Sequence, residues 1–126
     1  MRRTVSVRNV DRPNTALVHA TWCQSFACRL RGLMFRRSLP RDCGLLLVER
    51  AEGRANTSIH MAFVFFPLAV FWLDAQQHVV DRRIARPWTV HIPSAPARFV
   101  LETGVEMAGL ADVGDRLEFQ DEMAPS

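Results

Sequence analysis

SIHMAFVFFPLAVFWLD, residues 58–74, is the stretch on which the fold turns. From Met61 to Leu73 it carries no charge and no side-chain amide. A membrane helix needs about 20 apolar residues to cross the hydrocarbon, and this run is shorter and interrupted by Pro67. Proline cannot donate to a central β-ladder, so the run divides there. LAVFWLD (68–74) then reads as a strand buried on both faces, rich in branched and aromatic residues and closed by a polar turn. At about 25 cal/mol per Å² of apolar surface, burying Phe71, Trp72 and Leu73 contributes several kcal/mol. That is comparable to the net stability of a small domain. The greasy centre is therefore expected to fill a core.

Working outward, TVSVRN (4–9) and ALVHA (16–20) read as strands on either side of the turn signal DRPN. Thr21 with Gln24 forms a capping-box pattern, and Trp22, Phe26, Leu30 and Leu33 follow at near-helical spacing. A helix is expected over 22–33, with Gly32 as its stop. GLLLVE (44–49) reads as a strand covered on both faces, and TSIHM (57–61) as another. HVVDRRI (78–84) returns from the turn after Asp74. PWTVHI (87–92), RFVLET (98–103) and RLEF (116–119) complete the strands, with one helical turn over 104–110. About eight short, mainly antiparallel strands and one helix make an α+β, β-rich class, as a sandwich or partly closed barrel. One domain over 1–126 is expected, with its core at 15–119 and a polar, frayed tail at 120–126.

Composition bounds the function. The 126 residues carry a net charge of +3, and every basic side chain is an arginine. The arginines are dispersed, with short pairs at Arg2–Arg3, Arg36–Arg37 and Arg82–Arg83. No contiguous basic run is interleaved with aromatics, so a nucleic-acid partner is not expected. The basic N-terminus has no apolar segment behind it, which with the absent membrane span gives a cytoplasmic expectation. Cys23, Cys28 and Cys43 lack paired C-x2-C knuckles and are an odd number, so all three are expected as reduced, buried thiols.

Seven phrases, in this order, carry a resemblance: RGLMFR (31–36), CGLLL (43–47), SIHM (58–61), FPLAVFWLD (66–74), ARPW (85–88), ARFVLE (97–102) and VGDRL (113–117). Together they resemble the small bacterial and archaeal family DUF192, or UPF0127, over about residues 15–119. The resemblance implies a compact β-rich domain and brings no settled activity. Members typically place Asn or another polar group near position 63 and Asp two residues after the proline, and many relatives with the S-I-H-M phrase carry Arg at position 65. Here those positions are Phe63, Ala69 and Phe65. If the family's polar groups form a site, part of it is lost in this chain. Arg31, His60, Asp74, Arg98, Glu102 and Asp115 are retained.

Among these, His60 is the sharpest chemical candidate, because imidazole titrates near neutrality and can act as base or anion contact. Glu102 or Asp74 could orient it, giving a small hydrolase. No nucleophile elbow or zinc-protease motif accompanies it, and a hydrogen-bonded strand histidine is the plainer reading. Arg31 is expected to hold a carboxylate such as Glu102, or an anionic ligand. Asp74 and Asp115 read as turn-formers, and Trp88 as a partly exposed strand aromatic. A metal would need His60 and His91, with or without His78 or His19, to converge from separate strands, and the sequence gives no ground for a metal or cofactor. The expected function is a binding or accessory domain with a shallow, anion-preferring cleft rimmed by Arg31, His60, Trp88 and Arg98. Its partner would be a small molecule or a protein.

Overall fold

The computed structural model describes residues 3–122. Nine strands, one short α-helix and two 3-10 turns follow in chain order. The strands are β1 (Thr4–Asn9), β2 (Val18–Cys23), β3 (Cys43–Gly53), β4 (Ile59–His60), β5 (Leu68–Leu73), β6 (Val79–Ala85), β7 (Val90–His91), β8 (Ala97–Gly104) and β9 (Leu117–Asp121). The helix α1 spans Phe26–Arg31, and the 3-10 turns span Ala55–Thr57 and Val105–Leu110. Seven strands form one sheet in the order β6-β5-β8-β3-β2-β1-β9, while β4 and β7 pair separately. Every neighbouring pair is antiparallel except β2 with β3, whose crossover carries α1. The architecture is α+β and β-rich, as expected.

The sheet is a single curled layer rather than a sandwich of two. Its edge strands are stitched together at one end, where His78 bridges Arg116. There the Val79 amide donates to the Asp115 carbonyl and the Leu117 amide to that of Gln77. The barrel stays open beyond these bonds.

Strict alternation on β5 explains why the apolar run is needed. Ala69, Phe71 and Leu73 enter the core inside the curl with Leu46, Val48, Phe99 and Leu101. Leu68, Val70 and Trp72 enter a second core with Leu45, Leu47, Met61 and Val100. All six residues of β5 are buried, because each face of the strand has its own core. Trp72 is fully buried, and its indole N–H donates to the Thr57 carbonyl at 2.7 Å.

Three local expectations are corrected. The helix begins four residues later than its apolar spacing predicts. Trp22 and Cys23 instead pair in parallel with Leu46 and Leu47, a ladder that outweighs weak helix propensity. The cap is accordingly Ser25, whose hydroxyl accepts from the Cys28 amide at 3.2 Å, and not Thr21, which pairs with Thr4 and Leu45. Gly32 ends the helix at φ 50°, as expected. Second, Trp88 sits in a turn outside any strand, and the predicted 87–92 strand shrinks to Val90–His91. Third, Cys23 and Cys28 are joined in a disulfide, Cα to Cα 5.6 Å, leaving Cys43 free. The first turn of α1 folds back over the end of β2 and brings the two cysteines into reach. Of the tail expected to fray, Gln120 and Asp121 continue β9, while residues 123–126 lie outside the described residues.

The disulfide gives a direct prediction. Thiol titration of the unreduced, denatured protein should find one free thiol. Reducing the bridge, which closes a short loop, should cost about 2 kcal/mol of stability in a urea titration. Three titratable thiols before any reductant is added would refute the bridge.

Candidate functional site

Glu102 lies on β8 between Leu45 of β3 and Val70 of β5, which flank it in register. The period of the strand points its side chain into the second core, where only 5% of the residue is exposed. Gly44 permits this closeness of β3 and β8, since a Cβ there would stand 2.8 Å from the Glu102 carbonyl oxygen. A Cβ on Gly32 would lie 3.8 Å from Glu102 Oε1, so the carboxyl sits beneath the end of α1. No ion pair or side-chain hydrogen bond of Glu102 is formed among the described residues. Burial alone raises its pKa from 4.5 to about 7.

The carboxyl faces a small cavity of about 40 Å³, walled also by Arg31, Gly32, His60, Met61 and Leu68. That is room for one or two water molecules. Arg31, Gly32 and Leu33 are shared with a second, larger groove of about 700 Å³ between β2, α1 and the start of β3. Its walls are Arg3, Trp22, Gln24, Ser25, Arg36 and the Gly44–Leu45 backbone, among others, and include no Asp or Glu. The Arg3 guanidinium lies 3.9 Å over the Trp22 ring and is held by Asp121 at 2.7 Å. Arg31 and Arg36 make no ion pair among the described residues.

Arg29 anchors the wall between the cavities. It pairs with Glu49 at 2.6 Å and donates to the Gln24 carbonyl, fixing α1 to β3. This anchoring matters because α1 buries no residue of its own.

The expected site residues fall into two groups. Arg31, His60 and Glu102 meet at the small cavity, although no hydrogen bond or ion pair joins them. Asp74, Trp88 and Arg98 line neither cavity. Asp74 caps the β5–β6 turn, accepting from the Gln76 and His78 amides at 3.0 and 2.9 Å. Arg98 donates to the Glu49 carbonyl at 3.1 Å. Asp115 takes the Asp112 amide and the Asn9 side chain, a turn role as expected. His91 is hydrogen-bonded to Thr89, and no three His, Cys, Asp or Glu side chains gather as metal ligands among the described residues. Sequence reasoning missed Arg3, Trp22, Gln24 and Arg36, which come together only through the β2–α1–β3 crossover.

Among known proteins, the DUF192 family model, described as Uncharacterized ACR, COG1430, matches residues 8–119. This chain belongs to the DUF192 family. A UPF0127 protein of Pyrococcus furiosus is 34% identical over 113 residues, covering 88% of this chain and 95% of its own length. A UPF0127 protein of Thermococcus gammatolerans is 37% identical over 95 residues, covering 75% of this chain and 61% of its own. This DUF192 chain thus spans less than two thirds of that relative. Two crystal structures share the fold. One is a protein of Sinorhizobium meliloti described as a candidate transcription regulator, with TM-score 0.80, 21% identity and 94% of each chain covered. The other is a protein of unknown function from Novosphingobium aromaticivorans, with TM-score 0.78 and 22% identity, covering 91% of this chain and 83% of its own.

Proposed function

We propose that this DUF192 protein is a binding domain for a small anionic molecule, held in the groove between β2, α1 and β3. One observation carries this reading: three guanidinium groups and no carboxylate line a groove of about 700 Å³. That volume falls in the range of metabolite-sized sites. Arginine forks pair bidentately with carboxylate or phosphate, while Trp22 supplies an apolar wall and Gln24 and Ser25 polar rims. Arg31 stands between the groove and the Glu102 cavity, so a bound anion would sit within the field of that carboxyl. Among the described residues no helix is long and apolar enough to cross a membrane. The Cys23–Cys28 bridge favours an oxidising compartment over the cytoplasm expected from the N-terminus.

A thermal-shift series with phosphate, citrate and a sugar phosphate tests the reading. A ligand at a hundredfold excess over Kd stabilises by about 2.7 kcal/mol, a rise on the order of 10 °C for a domain of this size. Arg31→Ala and Arg36→Ala should remove the rise. If no anion stabilises the protein, or both variants respond like the native chain, the groove is not an anion site.

A second reading rests on Glu102 itself. A buried carboxyl with a pKa of about 7, facing a cavity that His60 also lines, suits general acid–base work on a small substrate. It requires turnover that Glu102→Gln abolishes while the fold persists.

A further inference from the structure

Three aromatic side chains stand together in water on the face where three loops meet. The rings of Phe35 and Phe63 stack with centroids 5.0 Å apart, and Trp88 meets Phe63 edge-on at 5.0 Å. Even so, Phe35 is 60% exposed, Phe63 42% and Trp88 62%. All three have left-handed backbones, with φ of 65°, 60° and 66°. Only Gln77 shares this among the other described non-glycine residues. Gly or Asn would occupy such positions with less strain.

Backbone bonds lock the loops in this arrangement. The Phe35 amide donates to the Phe63 carbonyl at 2.9 Å, the Trp88 amide to Met61 at 2.9 Å, and the Met61 amide to Thr89 at 2.7 Å. Neither core filling nor turn chemistry accounts for strained, solvated aromatics at all three positions. Strain of this kind concentrates at functional sites.

Charge is segregated onto the same segments. Residues 31–41, 58–67 and 84–93 contain five arginines (31, 36, 37, 41 and 86) and no Asp or Glu. They carry +5 of a chain whose total is +3, so the rest of the chain is at −2. Of the ten other described arginines, Arg50, Arg54, Arg98 and Arg116 form no ion pair, whereas Arg3, Arg8, Arg12, Arg29, Arg82 and Arg83 are paired with carboxylates. Among the described residues, none of the five on these segments is. Arg36 and Arg37 directly follow Phe35, and Arg86 precedes Trp88 by two residues.

We propose that this face binds single-stranded nucleic acid, with bases stacking on Phe35, Phe63 and Trp88 and phosphates meeting Arg36, Arg37 and Arg86. Flat rings and unpaired guanidinium groups on the same loops are the two components such sites combine, and both are indifferent to base identity. No contiguous stretch of sequence encodes the pattern, because the fold assembles it from three loops. The three aromatic rings do not line the anion groove, and of the phosphate contacts only Arg36 is shared with it.

Fluorescence anisotropy with labelled dT12 and rU12 tests it, the two arms separating DNA from RNA. Binding is expected at 50 mM salt, with three phosphate contacts giving a log–log salt slope of about −2. Phe63→Asn and Trp88→Asn keep a residue that tolerates left-handed φ, and each should weaken binding on the order of tenfold. Arg37→Ala, which lies outside the anion groove, should lower the slope by about 0.7. Tryptophan quenching by oligonucleotide in the native protein, lost in Trp88→Phe, supports the same stacking should the Asn variants fold poorly. Absence of binding to either oligonucleotide overturns the proposal. So does binding that the aromatic variants leave unchanged, which would be charge attraction alone. Dependence on the same residues for vesicles containing phosphatidylserine, with no oligonucleotide affinity, would make the face a membrane surface and also overturn it.

Discussion

Glu102→Gln should raise the stability of the protein at pH 8 by about 3 kcal/mol and leave it nearly unchanged at pH 4. The carboxyl has a folded pKa of about 7 against 4.5 when exposed, so the folded state holds its proton more tightly. Its favourable contribution is complete below 4.5 and is lost progressively as pH rises to about 7. At about 1.36 kcal/mol per pH unit, that window accounts for the size of the effect. Glutamine has nearly the same shape and never ionises, so the variant should lose this component of the pH dependence. Urea midpoints at pH 4, 6 and 8 measure this. A loss of stability at pH 8 in the variant would mean instead that Glu102 is ionised and held by Arg31, the pairing that sequence alone favours.

Trp72→Ala should cost about 3–5 kcal/mol, a large share of what a domain of this size possesses. The ring fills the outer core against Val70, Leu47 and Val100, and its loss also strands the Thr57 carbonyl that it now satisfies. Trp72→Phe separates the two contributions. It retains most of the volume and should lose about 1–3 kcal/mol through the missing N–H donor. Chemical denaturation of the two variants checks both values. Equal midpoints for Trp72→Phe and the native protein would show that water replaces the indole without penalty.

How far the sequence foretold this depends on which forces act locally. Leu68–Leu73 is readable because alternation with both phases apolar has few solutions besides a strand between two cores. Glu102, Arg31 and His60 are readable as polar residues within apolar phrases, and they do meet at one cavity. The start of α1 is not, because Trp22 and Cys23 satisfy helical spacing and strand pairing equally until β3 is present beside them. The stitched edges at His78 and Arg116 use backbone groups, which leave no mark on residue choice. Phe35, Phe63 and Trp88 carry none of the usual signals for positive φ, since Gly and Asn provide those. Their meeting could not be inferred from spacing, because the three loops are separated by whole strands.

The pairing of the first strand with the last sets the order in which this molecule can mature. Val5 lies opposite Asp121, so the sheet reaches its full width only after residues 117–121 have been synthesised. A nascent chain leaving the ribosome must keep one side of β1 without its partner until then, an edge open to pairing with other chains. Contacts this distant in sequence also place spontaneous folding toward the slow, millisecond-to-second end for small domains. The sheet should therefore depend on protection of β1 until β9 has emerged.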